Sequence, residues 1–577
     1  MTKRLKLDRR VHPLVHDLTV DLQKGRIDRR NFLRMTTLLG LSAASAYTLA
    51  GGITGRYFVP AARAAEGTPQ MGGTLRISMQ VQEMTDPALF DWVQKSNVAR
   101  HIVEYLTITG ADNVTRPYLA RKWEASDDLT EWTFHLAKGV KWHNGDDFIA
   151  DDVLFNFERW LDPKTGSSNI GLFSGMVEEY DTGKKDKNGK AVMSKRMIDG
   201  ALTKIDDHTI KLKTKTPQLA IPENLYNYPT AIVHRGFKGN LTEDPNGTGP
   251  YKLVKHVIGS TAILKRADRP YWAKDIKQPY IGGPIYLDEI QYIDQGNVGS
   301  AQLAALASGQ VDAIYEFDMP SLKMAQALPN VNVLSKTTAT TSCMRFRVDK
   351  KPFTDKRVRQ ALQMCTDVEE YPKLMFAGMS HYGEHHHVSP IHPEYYKLPV
   401  PKQNIEKAKK LLAEAGYGNG LELKIDCGNT GGPYQQQQCE IWKSQLAKAG
   451  VTLTLNVMPA AKYWDIWEKT PLGITEWVQR PLGTMVLDLG YRCGVPWNET
   501  HYCSKEFDAA LDAADQELDV DKRREKMKKV ESILQEDAVM SQPVWKPLFT
   551  AASKKVHNFH LQPTNYHQFD KVWIEKT

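Results

Sequence analysis

The chain has 577 residues, 41% hydrophobic and 25% charged, enough for several domains of roughly 100–200 residues each. Its formal charge of +7 sits at one end. Residues 1–65 hold 12 of the 75 Lys and Arg and 4 of the 68 Asp and Glu, and the remaining 63 basic and 64 acidic side chains nearly cancel. That balance argues against nucleic-acid binding, and six cysteines without a CxxC pair argue against a paired-cysteine metal or redox centre.

Arg29-Arg30-Asn31-Phe32-Leu33-Arg34 reads as a twin-arginine export motif. The run from Met35 to about Ala50 is rich in Ala, Ser, Thr and Gly, and is too short and too weakly apolar for a membrane span. Ala62-Arg63-Ala64 fits a small-x-small cleavage site, with maturation before Ala65. Residues 1–64 are therefore read as a signal peptide taken by the twin-arginine translocase; the competing readings are an uncleaved anchor or a chance arginine pair. The mature protein is expected in the periplasm, where disulfides form. Cys493 and Cys503 are the best pair and Cys427 and Cys439 the second, with Cys343 and Cys365 as buried thiols, although six cysteines allow 15 arrangements.

Gly72 to Ser78 predicts a strand, Thr85-Asp86-Pro87 a turn, and residues 97–108 a helix, with Val98, Ile102 and Leu106 spaced by four. Trp132, Phe134 and Leu136 alternate as one face of a strand. Asn144-Gly145 is a turn pair, and Ala150-Asp151-Asp152 opens a helix whose Val153, Phe157 and Trp160 share a face. Asp162 to Arg196 is polar and predicts a solvated hairpin or loop. Thr209 to Thr214 predicts a strand, Asn246 to Tyr251 a rigid turn into another, and Ala301 to Ile314 a helix stopped by Gly309 and then a strand. Beyond a Thr/Ser-rich run, Ser335 to Ser342, helices capped by Asp355 and Asn404 precede a strand–helix–strand unit over 421–457. Two helices follow, from Lys505 and from about Val520.

The wording of several stretches is more specific than their periodicity. Phe134-His135-Leu136, Lys138 to His143, Gly145 with Ala150 to Val153, Gly247 to Tyr251, and Pro352 to Leu362 closely resemble segments of the family 5 extracytoplasmic solute-binding proteins of ABC importers, the peptide/nickel/opine group. The resemblance covers nearly all of residues 72–560. It implies an α/β, two-lobed periplasmic binding protein fold (class II-like) with an extra domain inserted in the first lobe. The implied division is 65–107 and 246–336 for lobe I, 108–245 for its inserted domain, 337–545 for lobe II, and a return to lobe I over 546–577. It also implies a monomer that captures a small-molecule solute, peptide-like or otherwise polar, between the lobes. The solute then passes to a membrane permease and ATPase, and neither catalysis nor a cofactor is called for.

Site residues follow from the same resemblance. Trp477 and Arg480 stand where the family's ligand-contacting loop opens, and a buried Arg can grip a carboxylate through two parallel hydrogen bonds. Peptide-binding relatives continue with an acidic element; here Pro481-Leu482-Gly483-Thr484 follows and Asp488 is offset, which weakens a peptide as the solute. Trp497-Asn498 resembles a pair near the family's site. His386 and His387, in a loop with His381, His385 and His392, are cleft candidates; a metal there is the less favoured reading against simple loop packing. The alternatives to transport are an exported hydrolase, against which no GxSxG or HExxH is found, and a ligand sensor on the same fold.

Overall fold

The computed structural model describes residues 11–54, 67–185, 189, 191–517 and 519–576. The proposed cleavage site at 62–65 lies outside them.

Strict alternation builds the first small sheet. Trp132, Phe134 and Leu136 are buried along Glu131–Leu136, which pairs antiparallel with Ala120–Ala125 and Thr209–Lys213; Leu202–Asp206 completes four strands. The helix Ala150–Leu161 buries Val153, Phe157 and Trp160. Its Asp152 carboxylate is wholly buried and accepts from Ile149 N–H at 3.0 Å, Trp142 Nε1 at 3.1 Å and Arg235 Nη1 at 3.0 Å. A residue that sequence reading gives a helix-start role thus also pins the preceding turn. Gly247 and Gly249 lie so close to the carbonyls of Ile102 and His101 that a Cβ would fall 1.8 and 2.5 Å from an oxygen; only glycine fits there.

An eleven-stranded mixed sheet runs through both lobes. Its order is Tyr251–Val257, Thr261–Arg266, Glu289–Ile293, Thr74–Ser78, Ala313–Ile314, Trp545–Ser553, Val331–Phe346, Leu472–Trp477, Leu421–Cys427 and Val451–Val457, with Met540–Ser541 beside the long strand. Two strands therefore join the halves. Trp545–Ser553 pairs with Ala313–Ile314 on one side and with Val331–Phe346 on the other. The pairing of those two long strands shifts register between Lys336 and Thr340, and Thr341–Phe346 then pairs with Leu472–Trp477. A separate apolar core around Phe346, Leu362, Ile425 and Trp442 fills the second half.

Three expectations are corrected. Residues 97–108 are not one helix: helix ends at Ala99, and Thr107–Thr109 is a strand. Val98, Ile102 and Leu106 are nonetheless all buried, so their spacing reported burial rather than helical backbone. The Asp162 to Arg196 segment is a hairpin, Val177–Lys185 with Ala191–Met197, only in its second part; Ile170, Leu172 and Phe173 before it are core. Cys427 and Cys439 are free buried thiols, not a disulfide, and the Cys427 thiol donates to Asn429 Oδ1 at 3.4 Å. The disulfide Cys493–Cys503 is formed, and Cys343 and Cys365 are buried thiols.

The leader residues are helical: α1 Leu14–Gln23, α2 Arg29–Leu38 and α3 Ala43–Thr54. Arg29 lies over the Tyr47 ring at 5.7 Å, and Arg30 is exposed. Among the described residues no helix is long and apolar enough to cross a membrane.

Candidate functional site

Arg480 follows the strand Leu472–Trp477 directly, so the strand's end carries it to the seam between the halves. It is 1% exposed. Its Nη1 donates to the Val478 carbonyl at 2.9 Å, and its guanidinium lies 4.9 Å from the Tyr228 ring centre. Among the described residues its Nε–H has no partner and no carboxylate lies within ion-pair distance. Among the described residues Arg480 is thus not one side of an internal salt bridge.

Two small cavities meet at this side chain. One is lined by Glu223, Tyr226, Gln479, Arg480, Met485 and Tyr566. The other is lined by Asp91, Tyr228, Trp464, Trp477, Arg480 and Trp497. Both take walls from the two halves, and they hold about 20 and 10 Å³ of free space. That is room for a water molecule each; a solute enters only when the walls part. Trp477 and Trp497 pack edge to face at 5.8 Å, and Trp497 stacks on Tyr228 at 5.5 Å. Trp477 Nε1 donates to Glu499 Oε1 at 2.8 Å, which fixes its ring as cavity wall.

The other candidates lie elsewhere. Asn498 donates to the carbonyls of Arg492 at 2.9 Å and Tyr502 at 2.7 Å, closing the turn around the disulfide. His386 is enclosed in the second half, with Nε2 3.6 Å from Glu384 and 3.8 Å from Glu531. Burial holds the Glu531 carboxyl well above its usual range. His387 Nδ1 meets the Tyr491 hydroxyl at 2.8 Å, and burial, helped by His392, His386 and Arg480 nearby, keeps its pKa well below normal. Neither histidine lines the two cavities. Asp488 is bound to Arg492 at 2.5 Å and does not face Arg480's cavities.

A second charged group marks the seam beside a cavity of about 40 Å³. Lys546, on the strand that joins the halves, lies 3.3 Å from Glu316 and 2.8 Å from Glu476. Its ammonium is also 4.6 Å from the Tyr434 ring centre. Burial opposes the Lys546 charge, but the two carboxylates outweigh it and its pKa is raised. Burial pushes Glu316 up to about 7, with Lys546 pulling back and Glu476 adding to the rise. Sequence reading missed Glu223, Tyr228, Glu316, Glu476 and Lys546. None belongs to a motif, and their roles come from distant residues, from 70 positions for Lys546 and Glu476 to 252 for Tyr228 and Arg480.

Two lobes of mixed sheet joined by crossing strands, with small buried cavities at the seam between them, define a two-lobed periplasmic binding protein. The match to the bacterial extracellular solute-binding proteins, family 5 (middle region), spans residues 115–486, and the chain belongs to that family. It is 27% identical over 495 residues to heme-binding protein A of Haemophilus influenzae, covering 80% of this chain and 84% of that one. It is 26% identical over 497 residues to the periplasmic oligopeptide-binding protein OppA of Salmonella typhimurium, covering 80% and 84%. Among solved structures, AgaA of A. tumefacien R10 in complex with agropinic acid superposes with a TM-score of 0.74 at 23% identity, over 88% of this chain and 99% of that one. The role of the chain is solute binding.

Proposed function

We propose that the protein is exported by the twin-arginine route to the periplasm. There it binds one small solute bearing an anionic group, works as a monomer with a membrane permease and ATPase, and turns nothing over. The lobe boundaries implied by the family resemblance place Arg480 and Trp477 in lobe II and Tyr228 in the domain inserted in lobe I. Residues 337 to 545 then form a unit that swings about the two joining strands.

The observation that carries this reading is Arg480, a buried guanidinium without a carboxylate, in a cleft walled by Trp477, Trp497 and Tyr228. A desolvated cation is costly unless paired, and an anionic solute supplies the pair when the lobes shut over it. Closure is driven by the difference in solute contact between open and closed states. OppA supports a peptide, and AgaA an acid of the kind of agropinic acid, as the solute; the missing acidic residue after Arg480 favours the second. Native mass spectrometry of protein purified from its own host should show one copurifying anionic solute. Arg480→Ala should weaken its binding by well over tenfold, about 2–5 kcal/mol for one side of a desolvated charge pair. An unchanged dissociation constant would remove Arg480 from the site.

A further inference from the structure

Glu223 stands on the same cavity wall system as Arg480, and its partner comes from the leader. Arg34, in α2, donates to Glu223 through Nη2–Oε2 at 2.7 Å, Nε–Oε2 at 3.1 Å and Nε–Oε1 at 3.2 Å. The two side chains are 1% and 0% exposed. The docking is built, not incidental. Residues 31–39 are all buried although half of α2 is polar. Trp123 Nε1 donates to the Leu38 carbonyl at 2.8 Å. Gly40, at φ +88°, sits where a Cβ would come within 2.8 Å of the Trp123 carbonyl. Tyr47 of α3 donates to Asp112 at 2.8 Å.

We propose that Arg34 is a built-in occupant of a cation subsite formed by Glu223, so that the leader blocks the cleft of the full chain. With α2 displaced, the Glu223 carboxylate loses the guanidinium that pairs it, and a carboxylate left unpaired in a cleft that shuts over a solute is costly. Across one cavity it then faces Arg480. The solute is one that carries a guanidinium or primary ammonium together with an anionic group: the cation replaces Arg34 and the anion meets Arg480. This rests on the reading of Arg480's cavity as the solute site.

The test uses the full chain and two probes, 5-guanidinopentanoate and pentanoate, by titration calorimetry. Arg34→Gln should bind 5-guanidinopentanoate at least about tenfold more tightly than the unaltered chain, the worth of a buried charged hydrogen-bond pair. It should show no such advantage with pentanoate. Adding Glu223→Gln should abolish the gain. Adding Arg480→Gln should weaken both probes, and if it does so while the guanidinium group contributes nothing, the Arg480 reading stands and the Glu223 subsite falls. A second measurement needs no substitution: on the unaltered chain, millimolar 5-guanidinopentanoate should speed amide exchange across residues 31–39 and pentanoate should not. Equal exchange with both probes overturns the proposal, as does an Arg34→Gln protein that melts cooperatively yet binds no better.

Discussion

Lys546 and Arg480 are both buried cations at the seam between the lobes, and the chain treats them in opposite ways. Lys546 is held by two carboxylates, a backbone carbonyl and a ring face. Arg480 has carbonyls and a ring face but, among the described residues, no carboxylate. The first group is complete within the chain and belongs to the scaffold that ties the halves together. The second is left one charge short, and that shortfall is what separates a binding site from a buried salt bridge.

The largest effect should come from breaking the complete group. Lys546→Met leaves Glu316 and Glu476 buried and uncompensated, and breaking a buried pair from one side costs about 3–5 kcal/mol. Chemical denaturation should show a loss of that size. A loss no larger than that of a surface change would mean the cluster does not hold the seam, and the contrast with Arg480 would collapse.

A smaller and pH-dependent effect follows from Glu316. Its folded pKa is raised from the ordinary 4.5 to about 7. Between those values the folded chain keeps a proton that the unfolded chain has lost. Stability from this group is therefore full below about pH 4.5, falls as pH rises, and is gone above about 7. The total is about 3 kcal/mol at most. Glu316→Gln should flatten the decline of melting temperature between pH 5 and 7.5 relative to the unaltered chain. Identical slopes would show that Glu316 titrates normally.

The contrast also explains what could be read from the sequence. Trp132, Phe134 and Leu136, the caps Asp355 and Asn404, and Gly309 as a helix stop were legible because each acts on neighbours a few residues away. Arg480, Trp477 and Trp497 were legible through the family's wording and do meet at one cavity. Asn498 came from the same wording, as the second half of the Trp497-Asn498 pair, and His386 and His387 from a histidine-rich loop, but their environments are set by Tyr502, Glu531 and Tyr491, which no local pattern announces. Glu223 was invisible for the same reason, since its partner is 189 positions away.

The smallest effect is the one that tests the contrast most directly. Arg480→Met keeps much of the side chain's bulk and deletes a guanidinium whose Nε–H is unsatisfied. If Arg480 were structural, the exchange would cost several kcal/mol, as at Lys546. If it is held open for a solute, no buried carboxylate is stranded, and removing an under-paired polar group should leave stability unchanged or raise it by about 1 kcal/mol. Stability and binding should thus move apart: a melting temperature at or above that of the unaltered chain, with affinity for the anionic solute lost. A protein in which both fall together would place Arg480 with Lys546, as scaffold.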